Sequence, residues 1–340
     1  MRIRPGIAEL MAVASVVAAV TALPSAASAA EVAEVAEVAT RAAGVGPPCV
    51  REDLRLPAGA WQRITVMHAD PSGRFQIAHG TDTSWREHLI RWDAGVPTNL
   101  GPPTGSPTDV NEQGDFVGNT SSEDGLYRST AWRYSAGQVT ALPGLPGSVQ
   151  TIASAIAGDG TVVGWVRFAD GQPTAVTWAA DNSVRVLPGS GDSRAIDVDV
   201  DGTVIGYLSE KPVRWAPNAQ PELLPGYAPG PDTTWALTGI SAGVVVGQEY
   251  TGSRQLVLAW APRTAPVLLA EGAVAHAVNA RGSVAYEQTY ENQQWLRQDG
   301  IDRALPFGPS PYSVADITGL SDDDVAYGNH YSTPVRWICG

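Results

Sequence analysis

Short apolar-polar alternations recur along this chain with a period near 40 residues, each closed by a turn signal. Val176-x-Trp178, Val213-x-Trp215, Leu258-x-Trp260, Ile90-x-Trp92 and Val335-x-Trp337 each put two apolar residues on one face of a strand. Seven tryptophans, Trp92, Trp132, Trp178, Trp215, Trp260, Trp295 and Trp337, mark the unit at intervals of 35 to 46 residues. Trp132 and Trp295 lack the apolar partner two residues back, so their units are the weaker copies. Upstream of the tryptophan lies a turn. Ala155-Ile156-Ala157-Gly158-Asp159-Gly160-Thr161-Val162-Val163-Gly164 is matched by Val110 to Gly118 and by Val198 to Gly206, and more loosely around Gly73, Gly243, Gly282 and Asp323. Glycine at the turn supplies the positive φ of a tight hairpin without steric cost. Downstream, a last short run ends at Leu142-Pro143, Leu187-Pro188, Leu224-Pro225 and Leu305-Pro306, with Leu100 and Leu269 in the same role. Proline suits a strand end because it cannot donate a further ladder bond.

Each unit therefore holds four short strands, and nothing of helical period follows residue 48. Four-stranded units of about 40 residues are propeller blades. The expected fold is all-β, a seven-bladed β-propeller over 49–340, with the tryptophans packed between sheets. The last unit reaches Trp337-Ile338-Cys339-Gly340 after three strands, while Cys49 to Pro57 reads as an orphan strand ending in Leu56-Pro57. The N-terminal strand is expected to complete the seventh blade. That brings Cys49 and Cys339, the two cysteines of the chain, onto neighbouring strands and predicts a disulfide, with two free thiols as the alternative.

Ahead of the repeats, Arg2 and Arg4 precede the uncharged stretch Leu10 to Leu23, and Ala27-Ser28-Ala29 fits a cleavage site. Residues 1–29 read as a secretion signal, too short in its apolar part to span a bilayer. Residues 30–48, with Glu-Val-Ala three times over, read as a low-complexity tether. No transmembrane segment is expected in the mature chain, and the location expected is extracellular. The net charge of the whole chain is −13, which repels phosphate backbones and argues against a nucleic-acid partner. It fits a soluble monomer. Of the 22 basic residues, Lys211 is the one lysine.

The pattern A-x-x-I/V-N/D-x-x-G-x-V-V-G, then A-x-x-W or V-x-W, then L-P-G, is clearest over Asp109 to Pro143, Ser154 to Pro188 and Ala195 to Pro225. It resembles the secreted bacterial HAF-repeat family over roughly residues 65 to 340. The chain departs from the His-Ala-Phe triplet: Ser129-Thr130-Ala131 stands before Trp132, and Ala175-Val176-Thr177 before Trp178. The resemblance implies an extracellular, propeller-like protein of undefined activity and carries over no catalytic residue.

Catalytic signatures are sparse: no H-E-x-x-H, G-x-x-x-x-G-K or C-x-x-C occurs, the one G-x-S-x-G string, Gly239 to Gly243, falls within a repeat turn, and the five histidines stand singly. Asp197, Asp199 and Asp201 open a D-x-D-x-D-G run like that of a Ca²⁺ loop, but Leu208 stands where its closing Glu belongs. Hairpin-turn carboxylates are the plainer account, and no cofactor is expected. Five residues before the turn anchors stand His68, Asp109 and Asp197, aligned with Ala155, Thr238, Ala277 and Thr318. As innermost-strand residues they are candidates to meet at the axis, where a histidine with two carboxylates has the groups for acid–base work. The connections leaving the Leu-Pro strands carry Trp61, Tyr227, Trp235, Phe307 and Tyr312, candidates to stack on a glycan or peptide. The reading that follows is a secreted binding or interaction module for an extracellular glycan, peptide or protein. An extracellular lyase or hydrolase with its site near the axis is the alternative, and a structural envelope component a third.

Overall fold

The computed structural model describes residues 44–340 except 121–128, 190, 228–229, 231, 292, 307–314 and 340. The signal segment and most of the tether lie outside the described residues. Among those described there is no helix, and the strands form seven sheets. Blade I comprises Trp61–Ala69, Phe75–Asp82, Glu87–Asp93 and Val96–Gly101. The innermost strands of blades II to VI are Ser106–Val110, Ser148–Ile156, Ser193–Val198, Thr233–Ser241 and Ala273–Val278, and each is followed outward by three antiparallel neighbours. Blade VII is built from Ala315–Leu320, Val325–His330 and Thr333–Ile338, with Val50–Asp53 as its outer strand. The fold is a β-propeller closed by its N-terminal strand.

Alternation explains where the core sits. Buried residues form seven clusters, each spanning two adjacent blades. Val117, Ala131 and Leu142 of blade II meet Val162, Val176 and Trp178 of blade III in one of them. Leu54 of blade VII meets Ile64, Val66 and Trp92 of blade I in another. The ring closes further through Asn329, whose side chain accepts from Val66 N at 2.7 Å and donates to Val66 O at 2.9 Å. Cys49 and Cys339 are bonded, with Cα atoms 4.4 Å apart, and both are buried. Gly44–Val45 adds a fifth, parallel strand to the outer edge of blade VI against Ile301–Leu305, so the segment read as tether ends in a strand.

A second repeated bond locks the sheets. The indole Nε1 of Trp178 donates to Pro143 O at 2.7 Å, Trp215 to Pro188 O at 2.9 Å, Trp260 to Pro225 O at 2.9 Å and Trp337 to Pro306 O at 2.9 Å. Each tryptophan thus ties its blade to the Leu-Pro end of the preceding one. Trp92 donates to Arg55 O at 2.7 Å. Leu54-Arg55, and not Leu56-Pro57, therefore stands in the Leu-Pro place at the closure, and Leu54 is the buried leucine.

Two tryptophans are misassigned by sequence spacing. Trp178 faces Val162, the first valine of V-V-G. In blade II the equivalent Phe116 faces Tyr134, and Trp132 lies two residues earlier, opposite Gly118. In blade VI the equivalent Val284 faces Arg297, and Trp295 faces Tyr286. Arg297 substitutes for the tryptophan there, donating to Leu269 O of the preceding blade and pairing with Asp302 at 2.7 Å. Trp132 is buried, yet its Nε1 finds no acceptor among the described residues.

Candidate functional site

All seven innermost strands carry a β-bulge at the same level, for example between Val66 and His68, Pro107 and Asp109, and Ala195 and Asp197. The residue after the bulge pairs with the second strand at one register position in every blade. These positions are His68, Asp109, Ala155, Asp197, Gly239, Ala277 and Gly319. Thr238 and Thr318, aligned there by sequence, are instead the bulged residues, one position earlier: Ser241 pairs with Val244, which shortens the blade V turn by one residue, and the left-handed turn residue of blade VII is Asp324 and not Asp323. Four of the seven positions are glycine or alanine, and this leaves space on the axis. His68, Asp109 and Asp197 line that space, a cavity of about 180 Å³. A second cavity of about 180 Å³ adjoins it, sharing Ile156, Val198, Ile240 and Asp322 in its wall, and is bounded by the first-to-second-strand turns, including Asn111, Ala157, Asp199 and Ala242.

Each axial carboxylate bridges two blades. Asp109 Oδ1 accepts from Val110 N and Oδ2 from Ile156 N, both at 2.8 Å. Asp197 Oδ1 accepts from Val198 N and Oδ2 from Ile240 N, again at 2.8 Å. Backbone donors favour the ionised form, but enclosure by the ring outweighs them. Burial, aided by the Asp197 charge, pushes the Asp109 carboxyl up to about 8. Burial pushes Asp197 up to about 7. His68 makes no hydrogen bond among the described residues, and burial lowers it to about 4, so it is neutral at pH 7. His276, the bulged residue of blade VI, lies in the same wall, with its Nε2 3.4 Å from Glu287 Oε2. None of the described residues lining either cavity is Arg or Lys.

Neither a protein-family model nor a curated protein matches this chain. Solved structures do. A catalytically inactive virginiamycin B lyase from Staphylococcus aureus with quinupristin superposes at a TM-score of 0.53 and 13% identity, covering 86% of this chain and 99% of that one. An oligogalacturonate lyase from Vibrio parahaemolyticus gives 0.55 at 9% identity, with 88% and 99% covered. YCF48 bound to D1 peptide gives 0.51 at 12% identity, with 87% and 100% covered. The likeness is one of fold alone.

The D-x-D-x-D-G run spreads its carboxylates. Asp197 faces the axis, Asp199 accepts from Ala242 N at 3.1 Å and Gly243 N at 2.6 Å in the next blade, and Asp201 caps Thr203 N at 2.8 Å in its own turn. Among the described residues no group of three or more His, Cys, Asp or Glu is placed to hold a metal ion. No described helix is long and apolar enough to cross a membrane.

The aromatic candidates divide. Phe307 and Tyr312 lie outside the described residues. Trp61 and Trp235 stand on innermost strands and not on loops: Trp61 donates to Pro57 O at 3.0 Å and packs edge-on against His88. Trp235 is wedged between Tyr227 and Trp260, at 5.7 and 5.8 Å between ring centroids. Sequence reasoning passes over the aromatics that are exposed. Trp85, Tyr331 and Tyr290 are 75%, 54% and 81% exposed at the second-to-third-strand turns of blades I, VII and VI, three consecutive blades. Their position at the tip of a hairpin, between two alternating runs, is the signal that could have found them.

Proposed function

We propose that this protein is a secreted β-propeller binding module and that the axial cavity is its ligand seat. One observation carries the reading: His68, Asp109 and Asp197, from three separate blades, converge on a single cavity whose remaining post-bulge positions are small. Polar groups gathered in a concave site on a rigid scaffold are the usual form of a small-ligand site. The cystine supports the extracellular location, since such bonds persist in oxidising compartments. The test is a thermal-shift and calorimetric screen of glycans, short peptides and small polar metabolites on the wild-type chain and on Ala277→Phe, which fills the cavity. A ligand that stabilises the wild type and is lost in Ala277→Phe is the expected result. Ligands binding equally to both, or none binding, would refute the seat.

A second reading, an extracellular lyase or hydrolase at the same cavity, draws support from the lyases among the fold's neighbours and from the histidine beside two carboxyls. The chemistry favours it less. A general base works best with a pKa near the operating pH, and His68 at about 4 is a weak one. No described side chain orients it by a hydrogen bond. Turnover of an oligogalacturonate, or of virginiamycin B or quinupristin, that disappears in His68→Ala would establish this reading over the first.

A further inference from the structure

Guanidinium groups in this ring are used between blades, away from the axis. Arg91 donates to Gly114 O at 3.2 Å, Arg133 to Ala180 O at 2.9 Å and Arg214 to Gly243 O at 2.8 Å. Among the described residues the axial cavity has no cation of its own, although two carboxyl groups close enough to feel one another's charge face into it. Each of their four oxygens accepts one backbone N–H, and a carboxylate oxygen has room for a second donor. His68 lines the same cavity, partly exposed to it, makes no hydrogen bond to a described residue and is neutral, so one ring nitrogen is an acceptor without a partner among them. One further wall atom, Thr318 Oγ1, is buried without a hydrogen-bond partner among the described residues. Thr108, Ser154 and Thr238, at the same bulge position as Thr318, donate to the next blade's main chain at 3.1, 2.9 and 3.4 Å. Buried polar groups in folded proteins are nearly always satisfied, and an exception calls for a specific partner.

Resting on the reading of this cavity as the ligand seat, we propose that it receives the primary ammonium end of a small organic ligand, held by Asp109, Asp197 and His68. An ammonium presents three donors and no acceptor, matching two carboxyl groups and one imidazole nitrogen. A bare Ca²⁺ ion demands six to eight oxygens, more than these side chains supply. The size agrees: a cavity of about 180 Å³ takes the charged end, and the adjoining space at the turns takes the body of the ligand. Glu112, Asp199 and Asp322 along that outer space give the entrance a negative potential that draws cations inward.

Saturation-transfer NMR at fixed ionic strength tests this with propylammonium, 1-propanol, propionate and tetramethylammonium as probes. Propylammonium is expected to bind at least about tenfold more tightly than the other three, the worth of a charge-assisted hydrogen bond. Asp197→Asn is expected to weaken it by about tenfold or more, and Ala277→Phe to abolish it. Because Asp197 also bridges blades, His68→Leu is the second variant: its side chain holds nothing in the described fold, and the expected loss is about threefold to tenfold. Equal binding of 1-propanol, or propylammonium binding unchanged in both His68→Leu and Asp197→Asn, would overturn the inference. Should propylammonium not bind while another ligand is lost in Ala277→Phe, the ammonium assignment falls and the seat stands. If no ligand is sensitive to Ala277→Phe, both fall.

Discussion

At the scale of single residues, the axial carboxyls set a stability cost that depends on pH. Asp109 and Asp197 titrate in the fold at about 8 and about 7, far above the unfolded range near 4. Between those limits the folded chain keeps protons that the unfolded chain has lost, so stability from these groups falls as pH rises. His68 acts in the opposite sense between about 4 and 6.5, because it is neutral when folded and protonated when unfolded. Above pH 6.5 the carboxyls act alone. The melting temperature is expected to fall by about 3 to 6 °C between pH 6.5 and 8.5, and Asp109→Asn to make that decline shallower. Scanning calorimetry across this range checks it; a flat wild-type profile, or equal slopes in both proteins, would count against the assigned protonation. Sequence alignment brings His68, Asp109 and Asp197 together correctly because all three follow the bulge. It misses by one at Thr238 and Thr318, because the turn of blade V is one residue shorter than the others and that of blade VII is anchored at Asp324 and not Asp323.

At the scale of the element, the repeated tryptophan is kept in register by two demands, a volume between two sheets and a donor for the carbonyl of the preceding Leu-Pro end. Trp178 meets both, while Trp132 meets the first alone. Trp178→Phe is therefore expected to cost about 2–4 kcal/mol, from the volume lost and the carbonyl of Pro143 left unpaired. Trp132→Phe should cost less by about 1–2 kcal/mol, the worth of the missing bond. Urea denaturation of the two variants makes the comparison, and equal losses would show that the bond contributes nothing. Spacing alone cannot reveal that Arg297 holds the role in blade VI, since guanidinium and indole share no hydropathy. The two have in common a flat group with an N–H at its far end. Trp61 and Trp235 look like loop residues in sequence for a related reason: the innermost strands of blades I and V begin earlier than the turn pattern indicates.

At the scale of the whole molecule, seven blades, their order and the cystine follow from counting strands, because a ring must close and the repeat comes up one strand short. The bond joins residues 290 apart in sequence. In the chain-entropy model a loop of that size stabilises by about 5–6 kcal/mol. The double variant Cys49→Ser, Cys339→Ser is expected to lose a large part of this in equilibrium unfolding, with the propeller still formed, since Val50–Asp53 retains its backbone pairing and Leu54 its place in the core. Loss of less than about 1 kcal/mol would assign closure to the strand rather than the sulfur bridge. The cavity lies beyond the reach of sequence because it depends on absences. Gly239, Ala277 and Gly319 matter there for what they do not fill.

The arrangement of blade VII also fixes an order of events. Residues 50–53 emerge early in synthesis but have no partner until 333–338 exist, so the first strand made is among the last to be placed. Six blades can assemble in sequence while this one waits with an open rim. The final step is then a docking between segments from opposite ends of the chain, followed by thiol oxidation. A refolding experiment should accordingly show the two cysteines remaining open to alkylation until after most of the sheet signal has returned.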